Sequence, residues 1–169
     1  MQENGNPGYS MIRPDAAAFR TACGQFATGV AVVTAGARSG RPVGLTINSF
    51  SSVSLDPPLV LFCLAREAQC LAGFDAADGF VIHVLSARQR DLSARFATPD
   101  ADRFQGLDWQ DGPYGPVLPG ALARFDCRRH AAVDGGDHII LIGRVEAVSV
   151  RDGTADPLLY FRGGYRAIG

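Results

Sequence analysis

The strongest constraint on the fold is a pair of runs, Leu122 to Val133 and His138 to Val150, separated by Asp134-Gly135-Gly136-Asp137. Glycine tolerates the positive φ that a tight hairpin turn demands, so the two runs read as adjacent antiparallel strands. Each arm is about twice the usual strand length of roughly 5–6 residues. A ribbon that long has two faces to cover and needs further strands beside it. The rest of the chain supplies them.

Val30-Ala31-Val32-Val33-Thr34 is β-branched and reads as a strand. Arg38-Ser39-Gly40-Arg41-Pro42 turns the chain into a second strand from Val43, which Asp56-Pro57-Pro58 ends. Leu59 to Leu64 is a fully apolar third strand, Phe80 to Leu85 a fourth, and Leu158 to Phe161 a last one. Helices are few and short. One starts near Asp15 and runs to Gly29, with Phe19, Cys23 and Phe26 forming an apolar stripe. A second fits residues 66–74. A third opens at the capping box Ser86-Ala87-Arg88-Gln89 and presents Leu92 and Phe96 on one face. Residues 98–120, with four prolines and four glycines, read as a long irregular loop serving as a lid or an interface arm. Strands without β-α-β alternation predict a mainly β fold, an antiparallel split β-barrel of Greek-key type with a few short helices. With 169 residues the expectation is one domain over 14–169, preceded by a flexible arm over 1–13.

Composition narrows the function. The net charge of -1 and the balance of 16 Lys+Arg, all of them Arg, against 17 Asp+Glu give no field suited to nucleic acid or anionic lipid. No apolar run approaches the roughly 18–20 residues that span a bilayer. The four cysteines, Cys23, Cys63, Cys70 and Cys127, lack a C-x-x-C spacing and read as reduced thiols, which together with the polar first ten residues points to the cytoplasm. The sequence contains no dinucleotide fingerprint G-x-G-x-x-G, no P-loop, no H-E-x-x-H and no G-x-S-x-G. His83, His130 and His138 have no partners at zinc-site spacing, so no metal is expected.

What is unusual is Gly44 to Pro58, which packs Thr, Asn and four Ser into a run that is otherwise strand. Those polar groups must be hydrogen-bonded or face water. On composition alone the run is an exposed edge strand ending in a turn, or a polar cradle for a ligand. His138, at a strand entrance directly after the turn, is likewise either satisfied locally or set at a site.

Four elements in order resemble the flavin reductase-like family of FMN-binding split barrels. They are Thr28-Gly29-Val30 with Val32-Val33-Thr34, the run Thr46 to Pro58, Gly136-Asp137-His138 followed by Ile140, Gly143 and Val145, and Pro157 to Tyr165. The resemblance covers roughly residues 15–167. It implies an NAD(P)H:flavin oxidoreductase that binds FMN or FAD and takes NADH or NADPH as co-substrate. It also implies a homodimer that passes reduced flavin to a flavin-dependent monooxygenase. By the same resemblance Thr28, Thr46, Ile47, Asn48, Ser49, Ser51 and Ser52 cradle the flavin, and Cys63, Leu64, Ala65 and Gln69 border its ribityl chain and phosphate. His138, as the catalytic residue, meets the nicotinamide with Tyr160, Arg162, Gly163 and Tyr165. The chain departs from the family at Glu67-Ala68-Gln69-Cys70, where Ser or Thr is common, which leaves Arg66 or Gln69 to serve the phosphate. It departs again at Gly164, where a basic residue is common. The rivals are a non-catalytic flavin carrier or redox sensor, and a pyridoxamine-phosphate-oxidase-like enzyme on a related barrel.

Overall fold

The computed structural model describes Arg13, residues 15–36 and residues 40–168. The expected arm over 1–13 therefore lies outside the described residues save for Arg13, as does the start of the turn at Arg38-Ser39.

The chain runs α1 (Ala16–Cys23), β1 (Thr28–Gly29), β2 (Ala31–Ala35), β3 (Val43–Ile47), β4 (Ser51–Leu55), β5 (Pro58–Ala65), α2 (Leu71–Ala76) and β6 (Gly79–Val84). A 3-10 turn (Ala87–Gln89) leads into α3 (Arg90–Ala97). Then follow β7 (Gln110–Asp111), β8 (Pro116–Val117), β9 (Ala123–Gly135), β10 (His138–Val150), β11 (Leu159–Phe161) and β12 (Gly164–Arg166). Seven strands form one sheet in the order β3-β2-β6-β9-β10-β5-β4, every neighbour antiparallel. The expected hairpin is its spine: β9 and β10 pair from Ala123↔Val150 to Gly135↔His138, around a turn in which Gly136 has φ +80°.

The sheet curls because its inward residues must share one apolar interior. Ala31, Val33 and Ala35 of β2, Ile47 of β3, Phe62 and Leu64 of β5, Phe80 and Ile82 of β6, Cys127 of β9 and Leu141 of β10 pack in a single cluster. Phe62 stands edge-on to both Phe74 and Phe80. The edges β3 and β4 do not pair with each other, so the barrel stays open between them. The chain crosses that gap in three residues, Asn48 to Phe50. One continuous strand up to Asp56 was expected here. The structure divides it into β3 and β4 on opposite edges of the sheet, because residues in the crossing have no neighbouring strand to pair with.

A second apolar cluster covers the outer face of β2 and β6. It joins Val30, Val32, Leu85, Phe96, Leu118 and Leu158, with Leu92 of α3 and Phe104 and Trp109 of the long loop packed against it. The loop over 98–120 thus wraps its own domain. The capping box forms as expected, with Gln89 Oε1 accepting the Ser86 N–H at 3.0 Å. Four expectations shift. The first helix stops at Cys23, where Gly24 caps it, rather than at Gly29. Phe19, Cys23 and Phe26 are all exposed, so the stripe they were expected to form buries nothing within this chain. The second helix begins at Leu71 instead of residue 66, and the turn at Arg162-Gly163 adds β12, which the sequence reading lacked.

His83, fully buried on β6, joins the outer layer to the sheet. Its Nε2 accepts the Leu118 N–H at 3.1 Å, which leaves Nδ1–H to donate to the Val32 carbonyl at 3.2 Å. Burial pushes its pKa down to about 4, against the hydrogen bond to Val32. A base held neutral in the folded state and free to charge when unfolded makes stability fall as pH drops from about 6.5 towards about 4. Between pH 7.5 and 5 this site should contribute a loss of about 2 kcal/mol. Urea unfolding of the parent and of His83→Gln across that range measures it. The parent curve should lose that much more than the variant, and equal slopes would show that His83 does not titrate with unfolding.

Candidate functional site

The crossing between the two sheet edges opens a cleft of about 520 Å3, within the size range of small-molecule and cofactor sites. Its floor is the end of β1 and the start of β2, from Thr28 to Ala31. Asn48, Ser49, Phe50 and Ser51 form one wall and Phe26 another. Phe26 is 77% exposed, which leaves an aromatic face standing free at the mouth.

Local chemistry explains why the chain holds this shape. Ser49 lies beyond the point where β4 pairs with β5, so its side chain stands in for the missing strand. Its Oγ accepts the Cys63 N–H at 3.0 Å and lies 3.5 Å from the Cys63 carbonyl. Thr46 behaves differently. Its hydroxyl donates to the Ser93 carbonyl at 2.6 Å and fastens β3 to α3. Tyr165 serves the same helix, its hydroxyl 2.7 Å from the Ser93 Oγ, with its ring edge-on to Tyr160 and under the Arg90 guanidinium.

Of the residues expected to cradle the flavin, Thr28, Asn48, Ser49 and Ser51 meet in the cleft. Ile47 and Leu64 belong to the barrel interior, so only their backbone can border a ligand. Ser52 pairs with Val60 and is exposed on the edge strand. Cys63 joins the site through Ser49, and Ala65 lies two residues further along β5, opposite His138. Neither candidate for the phosphate is free. Arg66 is folded onto the hairpin, its N–H to the Asp137 carbonyl at 2.9 Å, its Nε to the Gly136 carbonyl at 2.8 Å and its Nη2 to Asp134 at 2.6 Å. Gln69 bonds to Asp100.

The residues expected at the nicotinamide do not line the cleft itself and fall into two groups. His138 is half-exposed, and its Nδ1 lies 2.7 Å from the Asp137 carboxylate. That imidazole holds the Asp137 carboxyl below its usual range, with Arg20 adding a weaker pull. Strand β11 pairs with β1, Thr28 opposite Tyr160, so Tyr160, Arg162, Gly163 and Tyr165 approach the cleft from behind its floor.

One buried atom here has no hydrogen-bond partner among the described residues. The Thr28 Oγ1 is buried without a hydrogen bond, although Thr28 lines the cleft. The Asn48 amide, exposed at the wall, makes no hydrogen bond to another described side chain. A flat ring with donors and acceptors along one edge would satisfy both groups, while Phe26 and Phe50 supply apolar surface. The donor set is neutral, suited to a flavin ring. Sequence reading missed the aromatic walls: Phe26 looked like the end of a helical stripe, and only its place after the Gly24 cap gives it away.

Comparison with known proteins places the chain in a family. The family model described as flavin reductase like domain matches residues 23–169. The FMN reductase (NADH) SmoA of Agrobacterium fabrum is 53% identical over 148 residues, which cover 87% of this chain and 83% of that protein. The flavin-dependent monooxygenase reductase subunit HsaB of Rhodococcus jostii is 43% identical over 89% of this chain and 76% of its own. Among solved structures, the NADH:FAD oxidoreductase SgcE6 of Streptomyces globisporus, in complex with NAD and FAD fragments, superposes with a TM-score of 0.87. It is 35% identical, with 95% of this chain and 98% of that chain covered. The chain belongs to the flavin reductase-like family.

Proposed function

We propose that the protein is an NAD(P)H-dependent flavin reductase, the component that supplies reduced flavin to a partner monooxygenase. The observation that carries this reading is the cleft at the split of the barrel, polar on the Asn48–Ser51 wall and holding the unpartnered Thr28 hydroxyl, in a chain of this family. When bound there, flavin supplies the redox chemistry, accepting a hydride from the reduced nicotinamide. The protein's share is orientation and exclusion of water. Thr28, Asn48 and Ser51 hold the ring edge, and Ser49 keeps their wall in place. The imidazole of His138, turned by Asp137, gives its free nitrogen to the nicotinamide carboxamide or ribose. Tyr160 and Tyr165 back the same side, with Arg162 and Gly163 at its rim. No described helix is long and apolar enough to cross a membrane, and free thiols fit a cytoplasmic protein.

Steady-state oxidation of NADH and NADPH with FMN, FAD and riboflavin in turn is the direct test. Turnover that scales with free flavin supports the reductase, whereas tight flavin with no turnover supports a carrier. Thr28→Val separates site from scaffold, since it removes a buried hydroxyl that has no partner among the described residues. Flavin affinity, read by fluorescence quenching, should fall by about 1 kcal/mol, while thermal stability holds or rises. Unchanged affinity would place the flavin elsewhere. His138→Asn should lower kcat/KM for NADH by about 1–3 kcal/mol and leave flavin affinity within twofold. The opposite pattern would mean that the two ligands are exchanged.

A homodimer completes the proposal. Phe26 at the cleft, Phe19 on α1 and Leu55 on the edge strand β4 are 77%, 62% and 96% exposed, apolar surface that a second copy of the chain would cover. Light scattering at micromolar concentration should give about twice the chain mass of 17.9 kDa, and a value near 17.9 kDa would count against the dimer.

A further inference from the structure

A second hollow of about 350 Å3 lies behind the floor of the cleft, between the end of α1 and the turn joining β11 to β12. Arg20, Gln25 and Arg162 line it. Two features set it apart from an ordinary patch of surface arginines.

The first is how Arg162 is held. Gln25 donates its amide N–H to the Thr21 carbonyl at 3.3 Å, which turns its Oε1 towards Arg162. That oxygen accepts from both Nε and Nη2 of the guanidinium, at 2.9 and 2.7 Å. The partner is neutral, and the guanidinium also lies over the Phe161 ring, 4.9 Å from its centroid, so no carboxylate among the described residues neutralises its charge. The Nη1 side, with the second Nη2 proton, remains free as a two-pronged donor of the kind that matches a phosphate. The second feature is the backbone. Arg162 has φ +49° and Gly163 φ +74°, between the paired residues Phe161 and Gly164. A two-residue hairpin with both φ positive favours Asn-Gly, and a long side chain at its first position is unfavourable. An arginine stands where asparagine would fold more easily. Its N–H is fixed as well, donating to the Gly24 carbonyl at 3.0 Å. Arg20 adds a second cation from the last turn of α1, and its charge is felt weakly at Asp137 on the hairpin.

The hollow is next to the cleft through the pairing of Thr28 with Tyr160. A ligand with its ring in the cleft and a charged tail would reach it past β1. We propose that Arg20 and Arg162 bind the pyrophosphate of the nicotinamide dinucleotide, with Gln25 as the residue that positions Arg162. This rests on the reductase reading above for the identity of the ligand. It makes the hollow a recognition site for the anionic half of the hydride donor, separate from the residues that hold the flavin.

The test uses ADP-ribose, which carries the pyrophosphate and lacks nicotinamide. Calorimetric titration should show binding to the parent protein and at least tenfold weaker binding to Arg162→Asn and to Arg20→Gln. Asparagine suits the turn, so Arg162→Asn should melt no lower than the parent. In turnover, both variants should lose at least tenfold in kcat/KM with NADH. With 1-benzyl-1,4-dihydronicotinamide, which has no phosphate, the loss should be at least fivefold smaller. Equal losses with the two donors, or unchanged ADP-ribose binding, would overturn the proposal. So would a variant that loses FMN but keeps riboflavin, because the hollow would then hold the flavin phosphate. A parent protein that binds ADP-ribose through these arginines yet never oxidises NADH would instead sink the reductase reading and leave the site standing.

Discussion

An open sheet has two unpaired edges, and this one joins them with three residues. That crossing, Asn48 to Phe50, organises the molecule around it. Backbone groups there have left one ladder and not yet entered the next, and buried polar groups left in that state are costly. Ser49 resolves part of the problem by pairing with Cys63 as a strand neighbour would. What has no partner among the described residues, the exposed Asn48 amide and the buried Thr28 hydroxyl, belongs to residues that line the cleft. The ligand site is thus the place where the sheet runs out of partners.

The arrangement depends equally on the outer layer. Strands β2 and β6 are buried on both faces, so something must cover the side away from the barrel interior. Helix α3 and the long loop do so, with Phe96 and Leu118 fully or nearly fully buried and His83 tying loop to sheet. Thr46 of β3 and Tyr165 of β12 both meet Ser93 of α3. The helix therefore sets the distance between the strand that leads into the crossing and the hairpin that carries Arg162.

Much of this was legible in the chain. The β9–β10 hairpin could be read from Gly135-Gly136 between two extended runs, and the start of α3 from Ser86 and Gln89, because each signal is local and its mechanism acts over a few residues. The polar run on its own left an edge strand and a ligand cradle both open. What could not be read was anything settled by distant partners. Nothing near Val43–Asp56 says that its two halves sit on opposite edges of one sheet, since that depends on five other strands. Arg66 and Gln69 looked free to bind an anion, and the turn at Gly136 and the Asp100 carboxylate have taken them. Thr46 and Ser49 are the same kind of residue in the same run, yet one fastens a helix and the other shapes the cleft. Only the strand direction at the crossing distinguishes them.

The bond between Ser49 and Cys63 has a consequence for exchange. A cleft that is braced by its own chain keeps its shape when nothing occupies it. Arrival of a ligand then demands little ordering of the wall, and departure demands little loosening, so both steps can be fast relative to a site that must fold around its guest. Such a site trades grip for throughput. It is suited to a small molecule that visits, changes oxidation state and leaves, and less suited to one that stays for the lifetime of the protein.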